Sequence, residues 1–210
     1  MAVEHEQRAG GTGIRERAIV ERWEPGEAAE HLETGDIVLT HGDHWTSKLI
    51  RFGQRLRFRG PRRDFARWNH AALVLDREGN LAEALSRGVE RTNLSKYKGT
   101  DYYLVRVECS DEDRRQIAAF AESVLKHRTT YGWLTIVSLF FTLAFGSTFI
   151  IGKIGTAICS GFASEALVRT GAVFERPPSY MMPADLAEYF SVKWEHPHET
   201  EDEPGSADRR

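Results

Sequence analysis

The sequence predicts an α+β domain, and three observations carry that prediction. Short apolar runs bounded by turn residues crowd the first half of the chain. Apolar residues at helical spacing dominate the second half. The connection Asp76-Arg77-Glu78-Gly79-Asn80 joins two of the runs as a hairpin.

Taken in order, residues 1–24 mix charge with Gly10, Gly11 and Gly13 and are expected to form a flexible arm. Asp36–Thr40 reads as a strand opened by the turn signal Thr34-Gly35. Trp45, Leu49, Ile50, Phe52 and Leu56 recur near a three-to-four spacing, which predicts a helix over 45–58. His70–Leu75 and Leu81–Leu85 are the two hairpin strands. Asp101–Val107 is a further strand, after a loop around Lys96 to Gly99. Ser110, followed by Asp111, Glu112 and Asp113, starts a helix because carboxylates suit the positive end of the helix dipole. That helix is predicted to reach about Lys126, with Ile117, Phe120, Ala121 and Val124 on one face. Another helix spans roughly Ser160 to Thr170 and stops at Gly171. A last short one begins near Pro183. The folded domain is expected over 25–194, and 195–210, with six acids, reads as a solvated tail.

Composition narrows the function classes. With 41% apolar and 28% charged residues the chain can bury a sizeable core, which excludes a wholly disordered or fibrous protein. A net charge of −3 provides no overall cationic field for nucleic acid. Cys109 and Cys159 make no disulfide framework and have no zinc-type spacing. The opening MAVEHEQRAGG has no apolar core, so a reducing, cytoplasmic setting is expected. Residues 129–152 carry no charge, long enough against the about 20 residues a bilayer needs. Three glycines and seven Thr or Ser within them leave three readings open: buried core, apolar groove or membrane-facing surface, and membrane span.

Cys159 stands at the start of a predicted helix. Unpaired amides and the dipole there stabilise a thiolate and can hold an oxyanion. Phe162, Ala163, Ala166 and Leu167 share its face, so a small apolar core residue is the alternative. A nucleophilic thiol needs a base. His70 opens an apolar strand, where its ring is costly without partners. Glu83, between Ala82 and Ala84 on the next strand, falls near it and can orient the imidazole; the alternative is a strand-capping His70 and a solvated Glu83. Cys109 has no histidine nearby in sequence and reads as structural. His41 and His44 form an H-x-x-H pair without a third ligand, so neither a metal nor another cofactor is expected, and lining a cleft mouth suits them better.

Together these residues resemble the permuted branch of the NlpC-type papain-like cysteine peptidases, the YiiX-like group. The matching residues are Gly35-Asp36-Ile37-Val38, Asn69-His70-Ala71-Ala72-Leu73-Val74, Gly79, Glu83-Ala84, Gly88-Val89, Thr92, Cys159-Ser160 and Met182-Pro183-Ala184-Asp185-Leu186. They span roughly 32–190, with histidine ahead of cysteine as in the permuted branch. Gly161 departs from a pattern in which glutamate often follows Cys-Ser. The resemblance implies a circularly permuted papain-like fold, an antiparallel sheet packed against helices, with the nucleophile at a helix N-terminus. It also implies Cys159 as nucleophile, His70 as base and Glu83 as the residue holding the imidazole. The activity implied is cysteine-dependent hydrolysis or acyl transfer on an amide or ester, in a small peptide of peptidoglycan type or a lipid-like acyl substrate.

A second signal is cationic. Lys48, Arg51, Arg55, Arg57, Arg59, Arg62, Arg63 and Arg67 lie within twenty residues against one acid, Asp64, interleaved with Phe52, Phe58 and Phe65. Such a segment can meet an anionic membrane surface or, less suitably, nucleic acid; a solvated face is the alternative. A non-catalytic surface-binding protein using this segment is therefore the rival to the enzyme.

Overall fold

The computed structural model describes residues 18–41, 51–52, 54–55, 57–85, 88–126, 159–175 and 177–194. Among these, six strands form one antiparallel sheet: β1 (Ile19–Trp23), β2 (Ile37–Thr40), β3 (His70–Val74), β4 (Asn80–Leu85), β5 (Gly88–Asn93) and β6 (Tyr102–Arg106), in the order β1-β6-β2-β3-β4-β5. Helices α1 (Asp111–Lys126), α2 (Cys159–Leu167) and α3 (Pro183–Tyr189) accompany it. The α+β class and the antiparallel sheet with helices therefore hold.

Apolar residues on both faces explain why the central strands are buried throughout. Ile37, Leu39, Ala71, Leu73, Tyr103 and Val105 meet the helical layer, including Ile117, Phe162, Leu167 and Leu186. The alternate residues Val38, Ala72, Val74, Leu81, Tyr102 and Leu104 pack with Leu32 and Leu94 in a smaller cluster on the opposite face.

Local signals act as the sequence predicts at several element ends. Ser110 and Asp113 exchange reciprocal hydrogen bonds at the start of α1, Asp113 N to Ser110 Oγ and Ser110 N to Asp113 Oδ2, each 3.1 Å. Gly171, at φ +77°, ends the turn that follows α2 in the left-handed conformation. Gly35, at φ +101°, leads into β2; a Cβ there would stand 3.0 Å from Ile117 Cδ1, so the turn needs glycine for conformation and space. Its neighbour Asp36 is buried and accepts from the amides of Val107 and Glu33, tying the entry of β2 to the end of β6. Burial pushes the Asp36 carboxyl up despite those amides.

Two strands depart from the sequence reading. Ile19–Trp23, expected within the flexible arm, forms the edge strand β1 along β6. Gly88–Asn93, for which no strand is predicted, forms the opposite edge, β5. Both carry charges in mid-strand, which edge strands tolerate because one side and part of a face meet water. Of the 45–58 helix, Arg51, Phe52, Gln54, Arg55 and Arg57 are helical; its earlier residues lie outside the described ones, as do 1–17, the uncharged stretch 129–152 and the tail. Among the described residues no helix is long and apolar enough to cross a membrane.

Candidate active site

The hairpin register brings a buried carboxylate to a histidine. β3 and β4 pair at Leu73↔Ala82 and Val74↔Leu81. In an antiparallel ladder this phase puts Glu83 on the same face as His70, one diagonal step away. His70 Nε2 accordingly lies 3.4 Å from Glu83 Oε2. The β3–β4 ladder ends at Leu73, and two residues earlier the Ala71 amide hydrogen-bonds the Cys159 sulfur.

Cys159 is the first residue of α2, and its side chain also hydrogen-bonds His70. The thiol is 4% exposed, while His70, at the mouth of the strand, is half-buried. Ser160, fully buried, donates from Oγ to the Met181 carbonyl at 2.6 Å, and Ser164 Oγ donates to the Ser160 carbonyl at 2.7 Å. These bonds hold the first turn of α2 against the segment entering α3.

Glu83 is wholly buried, and four side chains meet it. Thr92 Oγ1 donates to Oε1 at 2.8 Å, Tyr97 Oη to Oε1 at 3.0 Å and Lys96 Nζ to Oε2 at 2.5 Å, beside His70. Tyr97 and Lys96 sit on a 3-10 turn, Leu94–Tyr97, capped by Asn93 accepting from the Ser95 amide. The Thr40 side chain hydrogen-bonds the Tyr97 hydroxyl.

The electrostatics follow from these contacts. Burial opposes charge on the Cys159 thiol, but the His70 imidazolium and the amides of Ala71 and Ser160 outweigh it and hold the thiol below its ordinary range. For His70 burial likewise favours the neutral ring. The Cys159 thiolate and the Glu83 carboxylate overcome this and push the imidazole up to about 9. Burial would raise the Glu83 carboxyl; His70 and Lys96 instead bring it down to about 2. Tyr97 is pushed up, by burial and then by Glu83, so its hydroxyl stays a donor.

Of the three residues singled out from the sequence, His70 thus contacts both Cys159 and Glu83. Sequence reasoning assigned no role to Lys96 and Tyr97, and Thr92 entered it only through the resemblance. A buried carboxylate in an apolar strand signals that donors must exist, but which donors is a matter of tertiary folding. Cys109 is half-buried, and burial pushes its thiol up. His41 engages Arg67, Arg51 and Trp194. Its Nδ1 is 2.9 Å from the Arg67 carbonyl, its Nε2 2.8 Å from Arg51 Nη1, and its ring packs on Trp194 at 5.1 Å. His44 lies outside the described residues, and among those described no three side chains form a metal-holding group.

The cationic segment is partly consumed within the fold. Arg57 grips Asp185 of α3 through two hydrogen bonds of 2.5 and 3.0 Å, and Arg62 grips Glu188 through two of 2.5 and 2.6 Å. Both guanidinium groups lie over the buried Phe58 ring, at 5.2 and 4.9 Å. Lys48 is outside the described residues. No protein-family model matches this chain, and no curated protein matches it either.

Proposed function

We propose that the protein is a cysteine-dependent hydrolase or acyltransferase of permuted papain-like architecture, acting on an amide or ester bond. The observation that carries this reading is the chain of contacts from the Cys159 thiol, at a helix N-terminus, through His70 to the buried Glu83. His70 turns Nε2 toward Glu83, leaving its Nδ1 edge for the thiol. The carboxylate orients the ring and stabilises its charged form.

In the first half-reaction the Cys159 thiolate attacks the carbonyl carbon, a C–S bond forms, and the carbonyl electrons move to oxygen. The amide of Cys159 is an oxyanion donor suited to that charge. Collapse of the adduct breaks the C–N or C–O bond, and the His70 imidazolium passes its proton to the leaving group. His70 then takes a proton from water, or from another acceptor, as it attacks the thioester. The acyl product leaves and the thiolate–imidazolium pair is restored. Small peptides of peptidoglycan type and lipid-like acyl amides or esters are the substrate classes to screen.

The test is the pH dependence of iodoacetamide alkylation at each cysteine, read by mass spectrometry, with His70→Ala as the comparison. Cys159 is expected to react with a half-point well below the ordinary thiol value of about 8.5, and to lose that advantage in His70→Ala. Cys109 is expected to react only at higher pH. A Cys159 that is inert, or that follows Cys109, overturns the proposal.

A further inference from the structure

Two cations compete for one oxygen of Glu83. Lys96 Nζ reaches Oε2 at 2.5 Å, whereas His70 Nε2 is 3.4 Å from the same atom. The shorter contact belongs to the lysine, whose side chain is 38% exposed, while the carboxylate it meets is fully buried. The other oxygen takes two neutral donors, Thr92 and Tyr97. Glu83 is therefore satisfied mainly by residues that play no part in the chemistry proposed for Cys159.

Counting charge clarifies what the lysine does. With Cys159 as thiolate, His70 as imidazolium, Glu83 ionised and Lys96 protonated, the cluster holds two positive and two negative charges. Without Lys96 it carries one net negative charge in a largely buried setting, where like charges are poorly screened. Glu83 would then turn to the imidazolium as its main counter-ion and draw it from the thiolate.

We propose that Lys96 is a positioning residue that neutralises Glu83, so that the carboxylate orients His70 without displacing Cys159 as its ionic partner. This rests on the catalytic reading of Cys159 and His70 given above. The groups facing Glu83 among the described residues are His70 on β3, Thr92 and Glu90 on β5, and Lys96 and Tyr97 on the 3-10 turn. Cys159 on α2 faces it across His70. Glu90, opposite Glu83 in the β4–β5 register, adds negative charge to that neighbourhood and makes the lysine's compensation more necessary.

The expected signature is a displacement of the thiol titration, which a merely structural lysine would not cause. With Lys96 removed, the uncompensated Glu83 takes the imidazolium as its counter-ion, which disfavours the thiolate and favours the imidazolium, so both limbs of the Cys159 alkylation profile move to higher pH. In the full chain, Lys96→Gln is expected to raise the lower half-point by about one pH unit. Lys96→Arg is expected to restore most of it. Lys98→Gln, which removes a neighbouring exposed charge without a contact to Glu83, should leave the half-point within about 0.3 units, a shift consistent with screened surface charge. In a Glu83→Gln background Lys96→Gln should shift the half-point by less than half as much, because only the direct field of the ammonium is then lost and no carboxylate is left uncompensated.

The rate at Cys109 reports in the same spectra whether the fold is intact. A Lys96→Gln profile superimposed on the parent profile overturns the proposal while leaving the catalytic reading in place. So does an equal shift in the Glu83→Gln background, or failure of Lys96→Arg to restore the half-point when Cys109 is unchanged. If the unsubstituted protein lacks a low, His70-dependent half-point at Cys159, the catalytic reading fails first, and the role of Lys96 with it.

Discussion

Ser160 Oγ and the Met181 carbonyl share a buried hydrogen bond of 2.6 Å that ties the turn bearing Cys159 to the segment leading into α3. Together with the bond from Ser164 Oγ to the Ser160 carbonyl, it anchors the first turn of the helix that Cys159 opens. Ser160→Ala leaves the carbonyl without that donor in a site where Ser160 is wholly buried. The expected loss is about 1–3 kcal/mol in urea unfolding, the usual cost of a buried polar group left unpaired. A loss below about 0.5 kcal/mol would show that the carbonyl finds another donor at little cost.

The two arginine clamps on α3 look alike but should differ sharply in energetic weight. Arg57 meets an Asp185 side chain only 7% exposed, which also accepts from the Met182 amide. Arg57→Met strands that carboxylate, and a cost of about 3 kcal/mol is expected. Arg62 and Glu188 are 49% and 30% exposed, so Arg62→Met should cost roughly 0–1 kcal/mol. Parallel urea titrations compare the two, and equal losses would contradict the burial argument.

Acid stability should depend on Glu83. Its folded-state carboxyl lies near 2, below the ordinary value of about 4.3. A depressed carboxyl contributes stability that is present above the unfolded value and lost as pH falls through the folded one. The window is therefore from about pH 4.3 down to about 2. Glu83→Gln abolishes that contribution, so its urea midpoint is expected to fall less between pH 6 and pH 2.5 than that of the unsubstituted protein. Parallel declines in the two proteins would show that other groups carry the acid sensitivity.

Some of this was legible because the relevant physics is local. Ser110 ahead of three acids, Gly171 after α2 and the Asp76–Asn80 connection each act through a few neighbouring backbone groups, and the elements follow. The edge strands were not, because IVERW and GVERTN carry their charges where only one side is paired. A strand read from apolar alternation is expected at the centre of a sheet, not at its rim. Most of the arginines in the basic segment were legible as charge. That Arg57 and Arg62 spend theirs on α3 was not, since their partners lie 128 and 126 residues away.

The chain by itself determined the α+β class, the helix start at Cys159 and the placing of His70 and Glu83 on adjacent hairpin strands, because turn chemistry and helix-end signals follow from short-range sequence. Tertiary structure alone decided that the Cys159 turn arrives at His70 and that Lys96, Tyr97 and Thr92 enclose Glu83. A buried carboxylate demands donors wherever it lies, but only packing of distant segments selects which residues supply them.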